Sequence, residues 1–212
     1  MTTIYLVRHG ESVANTESIY QGQTYDTDLS PLGKEQVNRL AKRFENIELS
    51  QIIASPLKRT WETARAVAKI KKLPIISEKR ILEINHGEWE GKHKDVINKT
   101  WPDLYKKWQN FPSNVQFPKG ERFVETQKRV ITWWKEFLNG NKNDALVVTH
   151  DGILRIIVAY ALNMKLNRIW KFRLQSTSIT VVQTDGTTAQ LVELNDVKHL
   201  GDLQANLAIH AL

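Results

Sequence analysis

The sequence predicts an α/β protein in which helices cover both faces of a mainly parallel sheet. Three observations support this fold class. Short apolar runs of strand length alternate with longer segments in which apolar residues recur at helical spacing. Two serine-proline pairs, at 30–31 and 55–56, provide the cap and first-turn proline that favour the start of a helix. The length of 212 residues allows one well-buried core, and no repeat or linker divides the chain.

The first half of the chain alternates strands with helices. We expect a buried strand at 3–8, a short strand at 51–54 and a third strand at 74–77. One helix is expected to run from Ser30-Pro31 to about Asn46, and the next is expected to start at Ser55-Pro56. Polar residues dominate 11–29, which we interpret as a loop.

The second half adds a helical insertion and completes the sheet. Prolines interrupt short helical pieces after the third strand, and we interpret 84–120 as an insertion that covers the active-site edge of the sheet. A strong helix is expected over 120–140. We expect three further strands, at 145–149, 176–184 and 189–194. A largely apolar helix at 153–163 contains one charged residue, Arg155, and the tail after residue 194 has only a weak pattern.

Composition limits the classes of function. The absence of cysteine excludes disulfides, thiolate catalysis and cysteine metal sites. The net charge of +7 comes from lysines and arginines spread along the chain, so it does not favour nucleic-acid binding. No leader-like segment precedes the first strand, and no apolar run is long enough to span a membrane. We therefore expect a single cytoplasmic domain over 1–212, and the sequence leaves a homodimer open.

Side chains that can transfer a phosphoryl group follow the predicted strands. Arg8 and His9 end the first strand, and Arg59 lies in the first turn of the helix after the second. Glu83 and His150 stand near the ends of later extended segments. Ligands bind at the carboxyl ends of strands in open α/β sheets, so these five side chains are expected to meet at one edge.

The chemistry of this set fits phosphoryl transfer without a metal. The arginines and a protonated His150 would bind phosphate oxygens, a neutral His9 would attack phosphorus, and a protonated Glu83 would donate to the leaving oxygen. Each residue alone also has a structural explanation, such as a strand-end charge pair, a bonded core histidine or a surface carboxylate. Three aspartates could suggest a metal site, but their spacing fits no strong ligand pattern: Asp26, Asp28 and Asp151.

Taken together, these residues resemble the histidine phosphatase superfamily, whose best-known branch is the phosphoglycerate mutases. The matching stretches follow the order of the family over most of the chain: Leu6 to Ser12, Asn15, Gln21-Gly22, Leu29 to Gly33, Ser55 to Thr60, Thr63-Ala64, Glu83, Gly87 to Gly91, Gly120-Glu121 and Val148 to Gly152. The resemblance implies a three-layer α/β/α fold and a site that needs neither a metal nor a cofactor.

The resemblance also implies roles for individual residues. His9 would be the phosphorylated nucleophile and Glu83 the proton donor. The phosphate pocket would consist of Arg8, Arg59 and His150. Further matches lie near the phosphate or beside the substrate: Asn15, Gln21 and Gly22.

The loop after the acid indicates the branch. Mutases of this family carry an Arg-Arg pair in a longer insertion, whereas the nearest pair here is Lys106-Lys107. The chain is more similar to broad-specificity, α-ribazole and metal-independent phosphoserine phosphatases. The last group shares an Ile-Glu-Ile-x-His-Gly pattern, here around Glu83, and a Leu-Asn…His-Leu-Gly pattern, here between Leu194 and Gly201.

These similarities give an expected function with two alternatives. We expect a phosphomonoesterase that acts on a small phosphorylated metabolite, with phosphoserine as the first candidate. The alternatives are a mutase and an inactive domain that binds phosphorylated ligands. His86 would touch the non-phosphate end of the substrate, or would only pack the loop.

Overall fold

The computed structural model describes residues 1–211, and a six-stranded sheet forms its centre. The strands are, in chain order, β1 (Thr2–Arg8), β2 (Gln51–Ala54), β3 (Ile75–Ser77), β4 (Ala145–Thr149), β5 (Ile179–Thr184) and β6 (Ala189–Asp196). Their order across the sheet is β3-β2-β4-β1-β5-β6. The first four strands run parallel, whereas β5 and β6 are antiparallel to their neighbours. The predicted mainly parallel sheet is therefore confirmed.

Seven α-helices connect the strands within residues 1–211. They are α1 (Val13–Thr16), α2 (Pro31–Arg43), α3 (Lys58–Lys71), α4 (Lys94–Thr100), α5 (Pro102–Asn110), α6 (Phe123–Gly140) and α7 (Asp151–Ala161). Short 3-10 helices lie between them at Lys79–Ile81, Gly87–Trp89, Pro112–Asn114 and Leu166–Lys171.

Helices pack on both faces of the sheet because successive strand residues point to opposite sides. Val7 of β1 belongs to a core that includes Leu40 of α2 and Val67 of α3. Its neighbour Leu6 belongs to the opposite core, which includes Trp134 of α6. The three-layer α/β/α arrangement expected from the sequence is confirmed.

The segment between β3 and α6 contains α4 and α5 and packs through aromatic side chains. Trp89 and Trp108 are almost completely buried. The rings of both contact Phe117, with centroids 5.2 Å and 5.1 Å away. Tryptophans thus hold this segment against the core, as expected, while the insertion boundaries 84–120, the single domain and the homodimer stay predictions.

Local structure differs from the sequence-based expectation at three places. α3 begins at Lys58 rather than at Ser55, because Leu57 takes the cap position and the Ser55 hydroxyl contacts His150 instead. Glu83 follows a 3-10 helix in a loop rather than ending an extended segment. The polar stretch 11–29 contains the short helix α1, whose first turn is capped by Ser12.

No helix within residues 1–211 combines the length and the apolar character that crossing a bilayer requires.

Candidate active site

Two histidines meet where the parallel strands β1 and β4 end. Arg8 pairs with Thr149 in the strand register, and the His9 amide donates to the Thr149 carbonyl over 3.0 Å. His9 directly follows β1 and His150 directly follows β4, so the two side chains lie next to each other, with ring centroids 5.4 Å apart. The carboxyl edge of the sheet brings these two residues together, as the sequence predicted.

His9 is arranged as a neutral imidazole. Its Nδ1 lies 2.7 Å from the Gly10 carbonyl oxygen, so Nδ1 carries the proton and donates it there. Burial, followed by the positive charges of Arg59 and Arg8, holds the pKa of His9 well below its usual value. This tautomer leaves the Nε2 lone pair free for attack on phosphorus.

Arg8 and Arg59 are both buried and are held in the same way, through their terminal nitrogens. Nη1 of Arg8 donates to the Leu174 carbonyl over 2.7 Å. Arg59 donates from Nη1 to Asp26 over 2.8 Å and from Nη2 to the Gly22 carbonyl over 3.0 Å.

One further donor of each guanidinium, Nε, has no acceptor among the described residues. Within residues 1–211, Nε of Arg8 and Nε of Arg59 are buried without a hydrogen-bond partner. Unpaired buried donors are costly unless something binds them. Two such donors, together with a net positive charge, suit the oxygens of a phosphate group.

His150 differs from the sequence-based expectation in its charge. Its Nε2 lies 2.8 Å from the Ser55 hydroxyl, and its buried Nδ1 has no partner within residues 1–211. Burial, followed by the positive charge of Arg59, holds the pKa of His150 well below its usual value. The ring is therefore neutral at pH 7 rather than protonated in the ligand-free site, and a bound phosphate dianion would raise its pKa.

Glu83 is buried next to this basic group. Its Oε1 accepts from the Ile84 amide over 3.0 Å, and its Oε2 lies 3.4 Å from the Gly152 amide. A Cβ at position 152 would lie 2.7 Å from Glu83 Oε1, so a larger residue than glycine there would force the carboxyl group to shift. Burial raises the pKa of Glu83 to about 7, against the opposing charge of Arg59. Half of these carboxyl groups therefore carry a proton near neutral pH.

Helix α6 supports the loop that carries Glu83, which the sequence did not indicate. Arg129 donates to the carbonyl oxygens of Arg80 and Glu83 over 2.8 Å and 3.0 Å. It also forms an ion pair with Glu121 over 2.9 Å. The loop is thus fixed through its backbone, independently of the Glu83 carboxyl group.

The residues predicted beside the substrate form a small polar network. Ser12 donates its hydroxyl to Asn15 Oδ1 over 2.8 Å and accepts from Gln21 Nε2 over 2.8 Å. Gly22 approaches Glu90 so closely that a Cβ there would lie 2.0 Å from its carboxylate oxygen. Glu90 in turn accepts from the backbone amides of Gln23 and His86, over 3.1 Å and 3.0 Å.

His86 lies behind this network. It is fully buried and donates from Nδ1 to the Gln21 carbonyl over 2.6 Å. Aromatic rings surround it, and the ring centroid of Phe117 is 4.7 Å away. Burial lowers the pKa of His86 to about 4. The ring packs the loop in the ligand-free protein, and contact with a substrate stays a prediction.

The C-terminal tail, whose role the sequence did not reveal, closes the site. His210 lies 3.2 Å from Arg8 Nη2 through Nδ1 and 3.5 Å from Glu11 through Nε2. Ser18 binds the Ile209 carbonyl, and Lys94 binds the Ala208 carbonyl over 3.0 Å.

The cavity beneath the tail is small. It measures about 10 Å³, enough for roughly one water molecule. Six of the predicted residues line it together with Ile19 and the tail residue Ala211, namely Arg8, His9, Asn15, Gln21, Arg59 and Glu83. The lining does not include His150, Gly22 or His86. A phosphate ester therefore needs the tail or its neighbours to move.

Within the described 1–211 part of the chain, no group of three or more histidine, aspartate or glutamate side chains could hold a metal ion. Asp26 and Asp151 instead form ion pairs with Arg59 and Arg8.

Comparison with known proteins decides the family. The model of the histidine phosphatase superfamily (branch 1) matches residues 4–197 of the chain. This protein belongs to the histidine phosphatase superfamily. It is a phosphoric monoester hydrolase of the histidine phosphatase type.

Individual relatives agree with this assignment. Phosphoserine phosphatase 1 of Hydrogenobacter thermophilus is 34% identical, over 99% of this chain and 100% of the relative. The structure of Bacillus stearothermophilus YhfR superposes with a TM-score of 0.89 at 32% identity and covers 94% of this chain and 100% of its own. A histidine-to-alanine mutant of phosphoserine phosphatase from Entamoeba histolytica, in complex with phosphoserine, superposes with a TM-score of 0.82 at 27% identity, over 94% and 100% of the two chains.

Proposed function

We propose that this histidine phosphatase is a metal-independent phosphomonoesterase for a small phosphorylated metabolite, with phosphoserine as the first candidate. One observation carries the proposal. A neutral His9, with its proton fixed on Nδ1, lies in one cavity with two arginines and with a carboxyl group whose pKa is about 7. A nucleophile, a charged phosphate site and a proton donor are thus combined.

The first step transfers the phosphoryl group to the enzyme. His9 Nε2 attacks phosphorus, and the bond between phosphorus and the ester oxygen breaks. The protonated Glu83 gives its proton to the departing oxygen, so the alcohol leaves neutral. Arg8 and Arg59 balance the charge of the equatorial oxygens during transfer, with donors that the protein has already oriented.

The second step releases phosphate. A water molecule attacks the phosphorus of phosphohistidine, and the ionised Glu83 takes the proton that the water loses. The bond between phosphorus and Nε2 breaks, which restores the neutral His9 and the protonated Glu83. A carboxyl group with a pKa near 7 suits both directions of proton transfer. His150, bound to the Ser55 hydroxyl, would contact the third phosphate oxygen.

Support for phosphoserine comes from the relatives and from charge. Two of the reported relatives are named phosphoserine phosphatases, and one of these was crystallised with phosphoserine. Lys94 is hydrogen-bonded to the Ala208 carbonyl of the tail and offers a further positive charge for a substrate carboxylate. Asn15 and Gln21 line the cavity and present polar groups to the non-phosphate part of the substrate.

The experiment is a panel assay of phosphate release with the full chain. We expect hydrolysis of phosphoserine at a higher kcat/KM than of simple alkyl phosphates, both with and without EDTA. Loss of activity on chelation, with recovery on added metal, would contradict metal independence. Transfer of phosphate within phosphoglycerate, without net release, would instead identify a mutase. No turnover of any ester, including p-nitrophenyl phosphate, would refute the enzyme proposal.

A further inference from the structure

One buried charge has no part in the reaction described above. Arg155 lies on α7, a helix whose residues from Asp151 to Ala159 are all buried. Its side chain is only 10% exposed. A charged group in such a helix is costly unless it is fully paired, so its partners indicate why it is there.

Arg155 uses its whole guanidinium group inside the protein. Nη1 donates to the carbonyl oxygens of Ile169 and Phe172, each over 2.7 Å. The guanidinium carbon also lies over the ring of Trp170, 4.9 Å from its centroid. These contacts fix the group in one position. Nε and Nη2 both point to the carboxylate of Asp151.

The Asp151 carboxylate lies between Arg155 and Arg8 and binds Arg155 more strongly than Arg8. Its Oδ2 accepts from Arg155 Nε over 2.5 Å, and its Oδ1 lies 3.3 Å from Arg155 Nη2. Arg8, the phosphate-binding arginine, makes only one contact with this carboxylate, at 3.3 Å. Arg155 therefore holds Asp151 with two donors, and Arg8 is bound to it weakly.

The electrostatic balance agrees with this geometry. Burial alone would raise the pKa of Asp151, but the charges of Arg155 and Arg8 outweigh it and keep the pKa below its usual value. The carboxylate, only 1% exposed, is thus ionised in the interior. Such a group needs a full positive charge beside it.

We propose that Arg155 is a positioning residue that keeps Arg8 available for phosphate by holding and neutralising Asp151. The inference rests on the proposed function of Arg8 in the phosphate site. Without Arg155, the buried carboxylate has Arg8 as its remaining cation. An arginine and a carboxylate prefer a forked, two-bond contact, so Asp151 would draw the Arg8 guanidinium toward itself and away from the cavity.

The mechanism predicts an unusual rescue. Arg155→Met should weaken binding of inorganic phosphate by about 10- to 150-fold, the range for a hydrogen bond to a charged group. Adding Asp151→Asn to this variant removes the carboxylate that captures Arg8. The double variant should therefore bind phosphate at least about fivefold more tightly than Arg155→Met alone, although it carries one more substitution.

The experiment measures inorganic phosphate binding by titration calorimetry, with folding checked by circular dichroism at the same temperature. Arg168→Met, which removes an exposed arginine after the same helix, is the matched control and should bind like the wild type. Wild-type affinity in Arg155→Met would overturn the proposal. Equal weak binding in the single and double variants would also overturn it, because a purely structural role gives no rescue.

Two further comparisons keep the test decisive. If Arg155→Met does not fold, Arg155→Lys takes its place, because lysine keeps the positive charge but cannot form the two-bond contact with Asp151. Adding Asp151→Asn to Arg155→Lys should again improve the phosphate affinity. Failure of this rescue would overturn the proposal. The proposed function is tested separately by turnover of p-nitrophenyl phosphate in the wild type, since phosphate affinity does not depend on hydrolysis.

Discussion

Replacing Glu83 by glutamine should make the protein more stable at alkaline pH and at the same time less active. The carboxyl group is 3% exposed, and its pKa of about 7 in the folded protein lies above the usual 4.5. The folded protein thus binds this proton more tightly than the unfolded chain does. The stability of the wild type therefore falls as pH rises from about 4.5 to about 7, and glutamine, which does not ionise, avoids this loss.

The magnitude follows from the size of the pKa shift. A shift from 4.5 to about 7 corresponds to about 3 kcal/mol of unfolding free energy above pH 7, at 1.36 kcal/mol per unit. A glutamine keeps the acceptor for the Ile84 amide but loses the longer contact of 3.4 Å with the Gly152 amide. We therefore expect a gain of about 2 kcal/mol, or a rise in Tm of roughly 4–8 °C for a chain of this size.

The assay is thermal unfolding of wild type and Glu83→Gln at pH 5 and pH 8.5, with Glu35→Gln as the control at an exposed glutamate. The two proteins should differ little at pH 5 and clearly at pH 8.5, where the variant unfolds at the higher temperature. Hydrolysis of an alkyl phosphate should fall by roughly 10²- to 10⁴-fold, and that of p-nitrophenyl phosphate, with its good leaving group, much less. A variant that is less stable than the wild type at pH 8.5, or that loses both activities equally, would refute a protonated Glu83.

Two other predictions concern the loop and the buried histidine. Asp26→Asn should weaken inhibition by inorganic phosphate about tenfold, because it removes the carboxylate that orients Arg59 at 2.8 Å. Asp28→Asn is the control and should leave the inhibition unchanged, because Asp28 pairs with the exposed Lys58 side chain. Equal effects of the two substitutions would contradict the prediction. His86→Ala should lower kcat/KM for phosphoserine by about 10- to 150-fold and leave kcat/KM for p-nitrophenyl phosphate nearly unchanged. Equal losses of kcat/KM on both substrates would assign His86 to loop packing.

The sequence was most informative where local rules coincide with the fold. Arg8 and His9 follow a buried apolar strand, so their position at the sheet edge could be predicted from periodicity and from the strand-end rule. The start of α3 could not be predicted in this way. Ser55 has the usual pattern of a helix cap, but its hydroxyl contacts His150, a residue from another strand.

The tail shows a different limit of sequence reasoning. Residues after Asp196 have no helical or strand period, because their contacts are made by single groups rather than by a repeating face. His210 contacts Arg8, and the backbone carbonyl oxygens of Ala208 and Ile209 bind side chains that are distant in the sequence. By contrast, the sequence itself marks Arg155 as unusual, because it is the one charged residue in the apolar helical stretch 153–163.

The most direct test of the account is the search for phosphate on His9 itself. We expect rapid quenching in an alkaline denaturant during turnover of p-nitrophenyl phosphate, followed by mass spectrometry under non-acidic conditions, to locate one phosphoryl group on His9 and none on His150. The modification should be absent from His9→Ala, together with turnover, because no other side chain in the cavity replaces a covalent nucleophile. Phosphorylation of a different residue, or wild-type rates in a pure His9→Ala preparation, would contradict the mechanism.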